Sequence, residues 1–246
     1  MSSMPAIACL PVPTSNTCER PVSALAPLII VGAGGHGREV LDVVEAINAL
    51  VPTWRVLGFV ATTDPTAIGA ASRDAFLRRG VAYLGPESGL LSVEAWFAVG
   101  IGDPAARARI DAQFDASRAA TLIHPLASLG PDNQVEPGCV LAAGARLTTN
   151  VMLGRHVHLN INATVSHDCT VGDFVTCAPG STVCGNVEIG PGAYIGAAAT
   201  IIQGRRIGPG ARVGAGAVVV DDVGDGVTVV GVPARPLPTG VAQSPR

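Results

Sequence analysis

A chain of 246 residues is long enough for two modest domains, and its net charge of −3 leaves no basic field to draw it to nucleic acid or an anionic membrane. Apolar residues at 48% against charged residues at 14% exclude a disordered chain, while 30 glycines with only 4% aromatics point to a narrow core of small side chains. No apolar run reaches the length of a transmembrane helix, and every basic residue is an arginine.

Residues 1–26 carry four prolines and no basic n-region, so they read as a disordered extension rather than a signal peptide. A strand over Leu28–Val31 then runs into a glycine turn. The helix that follows places Val40, Leu41, Val43, Val44 and Ile47 on its apolar face. Further strands are predicted at Trp54–Val60, Val81–Leu84 and Ala95–Ile101, with helical pieces at Ala75–Arg79 and Ala105–Phe114. This alternation predicts a small parallel α/β domain over residues 27–120.

Gly32, Gly34 and Gly37 satisfy G-x-G-x-x-G between that first strand and helix, which makes the domain Rossmann-like: glycines there let the backbone approach a phosphate at the helix N-terminus. A nicotinamide cofactor calls for an acid at the end of the second strand, but the chain reads Ala61-Thr62-Thr63 and Asp64 comes late. A nucleotide or nucleotide-sugar diphosphate and a structural turn without ligand both stay open. His36 stands in this loop, placed to donate to a phosphate or a base.

From Ile123 to Val219 an aliphatic residue or cysteine returns every sixth position, seventeen times without an insertion, and the fourth position after each is mostly small. Neither a 3.6 nor a 2.0 period produces this; a hexapeptide repeat does, and it predicts a parallel β-helix over residues 121–235. Three short strands make a coil of about eighteen residues, with coils stacked about 4.8 Å apart. Residues 236–246 are rich in proline and read as a loose tail.

The repeat also says which side chains face in. Cys139 and Cys169 fall in the small inward slot and Cys177 in an aliphatic slot, as reduced core thiols of a cytoplasmic protein would. His167, two residues after Val165, falls outward or at a corner. Gly185 lies one coil away beside it and leaves the space by the imidazole open. Asp168 follows directly, and a carboxylate near an imidazole can fix its tautomer and raise its basicity, the arrangement of a general base. Asn160 is outward on a neighbouring face. His124, His156 and His158 raise a zinc site, but the histidine pair four residues apart used by trimeric β-helix zinc enzymes is missing, so no metal is expected. His156 and His158 are read as polar residues of an outer or trimer-facing wall.

The loop G-A-G-G-H-G, the strand ending G-I-G-D, the stretch N-I-N-A-T-V-S-H-D-C-T-V-G-D-F and the terminal G-V-P-A-R together resemble the sialic acid/bacillosamine-type (NeuD/PglD-like) sugar acetyltransferases of the left-handed β-helix acyltransferase superfamily. The resemblance covers residues 27–235. It implies a left-handed β-helix, a homotrimer with acetyl-CoA in grooves between adjacent prisms, and an N-terminal domain that holds the nucleotide of a nucleotide sugar. His167 matches the family's catalytic histidine and Asp168 its acidic neighbour. Asn160 matches an asparagine near the acceptor, and Gly34, Gly35 and His36 match the nucleotide loop. Gly185, Ala197 and Ala215 fall where the family lines the CoA channel. Thr176 stands where the family often has a histidine at the acetyl-CoA site, and the acidic pair that commonly ends the second strand is missing.

These readings imply direct transfer of an acyl group from acetyl-CoA to an amine or hydroxyl of a sugar, with His167 as base and backbone N–H groups near Gly185 facing the oxyanion. Arg205, Arg206, Arg212 and Arg235 are candidates for the CoA phosphates. Two rivals remain: a hexapeptide acetyltransferase with another small acceptor, which would lack the glycine-His loop, and a non-catalytic nucleotide-sugar scaffold, which would have no use for the His-Asp pair.

Overall fold

The computed structural model describes residues 25–61, 70–86 and 94–237; the extension up to residue 24, the tail from residue 238 and the Thr62–Asp64 segment lie outside the described residues. The N-terminal unit runs β1 (Ala26–Val31), α1 (Gly35–Leu50), β2 (Trp54–Val60), α2 (Ala70–Arg78), β3 (Trp96–Val99) and α3 (Pro104–Asp111). Its sheet is parallel in the order β2-β1-β3, so the glycine turn leaves the central strand. Helix α2 begins five residues earlier than the sequence suggests, and the expected strand at Val81–Leu84 is reduced to one bridge from Tyr83 to Phe59. Two glycines of the turn are packing residues: a Cβ on Gly37 would strike the Gly32 carbonyl, and one on Gly32 would lie 2.9 Å from the Ile101 side chain.

Every hexad of the solenoid forms a two-residue strand, and strands eighteen residues apart pair in parallel on three faces. The first face carries Leu122–Ile123, Val140–Leu141, His158–Leu159, Thr176–Cys177, Tyr194–Ile195 and Arg212–Val213, then Thr228–Val230. The second carries Ser128–Leu129 through Thr164–Val165 to Val218–Val219, and the third Gln134–Val135 through Thr170–Val171 to Arg206–Ile207. The inward slots meet in one apolar core that contains Cys139, Cys169 and Cys177. Corners turn on left-handed residues stacked in columns. On the edge between the second and third faces these are Asp132 (φ 60°), Asn150 (53°), Asp168 (60°), Asn186 (56°) and Gly204 (67°). Asn, Asp and Gly tolerate that conformation best.

The two units share a core. Val40, Leu41 and Val44 of α1 pack with Leu122 and Val140 of the first face. The Arg107 guanidinium, fully buried, donates to the carbonyls of Ile101, Gly102, His156, Phe174 and Val175, stitching α3 and the β3 exit to two coils. Burial pushes its pKa down to about 10. Asp111 accepts from Arg155 at 2.9 Å and from His156 Nε2 at 2.8 Å. His156 and Phe174 hold φ of 51° and 60°, unusual for bulky residues. Both are anchored there, with rings stacked 5.5 Å apart and their carbonyls held by Arg107. His156 and His158 are therefore not residues of an outer wall. Each is fully buried beneath the N-terminal unit, because the first face is where that unit docks.

Candidate active site

The edge between the second and third faces lies opposite the docked first face. There the chain leaves Val165 at Ser166 and re-enters the ladder at Thr170, so His167 and Asp168 stand on the corner. The His167 side chain is 54% exposed, and its Nδ1 lies 2.8 Å from Asp168 Oδ2. Asp168 is fixed from the coil before: Asn150 Nδ2 donates to its other oxygen at 2.7 Å. The Asn150 amide and the His167 ring together hold the Asp168 carboxyl below its ordinary range. An ionised carboxylate can only accept, so Nδ1 carries a proton, and in the neutral ring Nε2 is left with its lone pair. Gly185 forms the floor under the ring: a Cβ there would lie 2.6 Å from Nε2. The arrangement can withdraw a proton from a nucleophile arriving from solvent.

Asn150 escaped the sequence reading, although its signal was present. It stands eighteen residues before Asp168, in the left-handed column of the same edge. A neutral thiol is no competitor for the chemistry, since burial pushes Cys139 and Cys177 up to about 12.

The remaining expected residues divide into two groups. Gly34 and Gly35 are exposed at the start of α1. A Cβ on Gly34 would meet nothing within 4 Å, and one on Gly35 only the Arg38 guanidinium at 3.7 Å, so the loop is open to a ligand with Arg38 beside it. His36 differs from expectation: both ring nitrogens are engaged, Nδ1 with Glu39 Oε2 and Nε2 with His158 Nδ1, each at 2.8 Å. No ring N–H is free for a phosphate or base. Asn160 follows His158 by two residues on the edge between the first and second faces, where Ala197 and Ala215 are exposed further along.

Thr176, expected at the thioester site, is buried on the docked first face, and its hydroxyl donates to the Gly102 carbonyl at 2.8 Å. In this chain it serves the contact between the two units. The candidate arginines do not converge either. Arg212 lies over the Tyr194 ring at 5.1 Å, Arg235 faces Asp221 at 3.3 Å, and Arg205 faces Asp222 at 3.9 Å. One chain thus presents the glycine loop and Asn160 on one side of the prism, and His167, Asp168 and Gly185 on another.

A histidine-carboxylate pair on the edge of a left-handed β-helix, with no buried thiol among the described residues able to act in its place, fits an acyltransferase of the hexapeptide-repeat class. Comparison with known proteins narrows the class. Residues 27–114 match the family model described as the PglD N-terminal domain. The chain is 33% identical over 175 residues to the GDP-perosamine N-acetyltransferase of Escherichia coli O157:H7, covering 68% of this chain and 74% of the relative. It superposes on the acetyltransferase domain of PglB from Neisseria gonorrhoeae FA1090, solved with acetyl coenzyme A, at a TM-score of 0.72 and 33% identity, over 87% of this chain and 100% of that one. A variant of the perosamine N-acetyltransferase from Caulobacter crescentus, solved with CoA and GDP-perosamine, gives 0.71 at 28% identity over 87% and 98%. This chain belongs to the NeuD/PglD-like sugar acetyltransferases.

Proposed function

We propose that the protein transfers an acetyl group from acetyl-CoA to the amine of a nucleotide-activated amino sugar, working in the cytoplasm as a homotrimer. The observation that carries the reading is the His167 imidazole, oriented through Nδ1 by Asp168 and open at Nε2 above Gly185. As the acceptor nitrogen attacks the thioester carbonyl carbon, Nε2 takes its proton. The C–N bond forms, the C–S bond breaks, and the same proton passes from His167 to the CoA thiolate. The perosamine relatives favour an amine over a hydroxyl and make GDP-perosamine the first acceptor to try.

The split of the site supports the trimer. In a three-fold assembly the His167 edge of one prism can face the Asn160 edge of the next, with CoA between them along Gly185, Ala197 and Ala215. The nucleotide then sits on the Gly34–Gly35 backbone. The test is thiol release with acetyl-CoA and a panel of GDP-, UDP- and dTDP-amino sugars, for the wild type and His167→Ala. The expected result is turnover on one acceptor and a loss of about 100-fold or more in the variant, with light scattering giving a trimer for both. Near wild-type turnover in the variant, or an active stable monomer, would sink the reading.

A further inference from the structure

The loop histidine is the one part of the expected nucleotide site whose surroundings contradict a direct contact. His36 belongs to the first turn of α1, yet its ring points away from the open side of the loop, to His158 on the solenoid's first face. The rings lie 4.9 Å apart at 38°. The direction of the protons follows from the ends of the chain. Glu39 is ionised, its pKa lowered chiefly by the His36 hydrogen bond, so His36 Nδ1–H donates to it. In a neutral His36 ring, Nε2 then has only a lone pair, which accepts from His158 Nδ1–H. Burial keeps His158 neutral, and its Nε2 has no partner among the described residues.

His158 itself cannot shift. It is fully buried, paired in the ladder with Val140 and Thr176, and its backbone N–H donates to the Val175 carbonyl at 2.9 Å. By contrast, a Cβ added to Gly34 would meet nothing within 4 Å and one on Gly35 only the Arg38 guanidinium, so this side of the loop is open. The body of α1 rests on the apolar contact with Leu122 and Val140, Gly32 and Ala33 tie the loop to the sheet and core, and the His36 ring is the polar tie from the first turn of α1 to the solenoid.

We infer that Glu39, His36 and His158 form a positioning relay that sets the nucleotide loop at a fixed height on the prism, two residues from the Asn160 edge, so that His36 serves nucleotide binding through the loop backbone and not by touching the nucleotide. The inference rests on the nucleotide-sugar reading above. Its value to the enzyme is register. The diphosphate is held on one unit and the amine must reach another, and an error of about 1 Å in such a placement costs on the order of 100-fold in rate.

The test is steady-state kinetics with the accepted nucleotide sugar, together with CoA binding by calorimetry, on full-length His158→Leu, His158→Asn, His36→Leu and the His36→Leu/His158→Leu double variant. The Asn amide can place a donor where His158 Nδ1 stands, and Leu cannot. His158→Leu is expected to raise KM for the nucleotide sugar about tenfold, to leave CoA affinity within about twofold, and to be rescued by His158→Asn. The double variant should be no worse than His36→Leu alone, as for two parts of one device. An unchanged KM in His158→Leu overturns the inference, as does a multiplicative double variant, which would mean that His36 meets the nucleotide itself. If His158→Leu fails to fold, His36→Leu and His158→Asn still decide it, since the relay requires the first to raise KM and the second to preserve it. A wild type that shows no thermal shift with any nucleotide sugar refutes the functional reading, and the relay's role with it.

Discussion

Replacing Gly185 by alanine should separate activity from stability. Its φ lies outside the left-handed region, so alanine fits the backbone without strain. The added Cβ would lie 2.6 Å from Nε2 and 3.0 Å from Nδ1 of His167. Carbon contacts settle near about 3.5 Å, so the ring must retreat by roughly 1 Å. It can do so cheaply, because it is more than half exposed and its hydrogen bond to Asp168 stands in solvent, where such a pair contributes little. Losing a glycine returns about 0.4–1 kcal/mol through the unfolded chain, so the melting temperature should hardly move. The catalytic cost is larger. A misplacement of about 1 Å in the attacking geometry costs on the order of 100-fold in kcat, about 2.7 kcal/mol of transition-state stabilisation. Thiol release measured beside differential scanning fluorimetry gives both numbers. In a His167→Ala background the substitution should cost nothing further. A Gly185→Ala enzyme with kcat within threefold of wild type would refute the placement of the base.

Asn150 offers a finer cut. Asn150→Gly keeps the left-handed backbone at φ 53° and deletes the amide that holds Asp168 Oδ1, so the trimer should persist while kcat falls about tenfold; an unchanged kcat would make Asn150 a corner residue and nothing more. The buried histidines predict acid sensitivity. Burial lowers the pKa of both His156 and His158 from the ordinary 6.5. Below that value the unfolded chain takes up protons that the native state refuses, so stability rises with pH across the window and falls as pH drops from 6.5. Two such groups approach a slope of about 2.7 kcal/mol per pH unit. Urea titrations at pH 7.5, 6.0 and 5.0 would show it, and a flat stability over that range would mean that the two rings charge in place.

The solenoid was legible because its period is local. One aliphatic residue per six fixes the face of every side chain, and His167 with Gly185 follows by adding eighteen. Asn150 was within reach of the same arithmetic, had left-handed Asx residues been stacked as the aliphatic ones were. The histidines 156 and 158 and Thr176 were misplaced for a different reason. The two histidines do point out of the solenoid core, but a repeat cannot say what covers a face. That is decided by Arg107, whose guanidinium finds its carbonyls 49 to 68 residues away. His36 failed in the same way: a histidine after glycines looks free until the residue 122 positions later is brought beside it. The boundary at α2 moved because Ala70–Arg78 has a weak apolar face, and its start shows no signal stronger than the alanines.

The same docking that buries the first face also divides the labour between edges. A prism has three edges, and the N-terminal unit, held by Arg107, Asp111 and His36, occupies the side that ends at Asn160. The His167–Asp168 pair stands at the edge opposite that face, beyond the Thr164, Thr182 and Thr200 ladder of the second face. Asn160 and His167 each adjoin strands fixed in the ladder, on different edges of the prism. Either the loop and the base serve different molecules, or they meet across a boundary between two copies. The proposed acyl transfer needs acceptor nitrogen, carbonyl carbon and base within bonding reach at once, and the second alternative is the one that supports it. In the proposed trimer, assembly does more than add stability, since it brings the His167 edge of one prism to the Asn160 edge of the next.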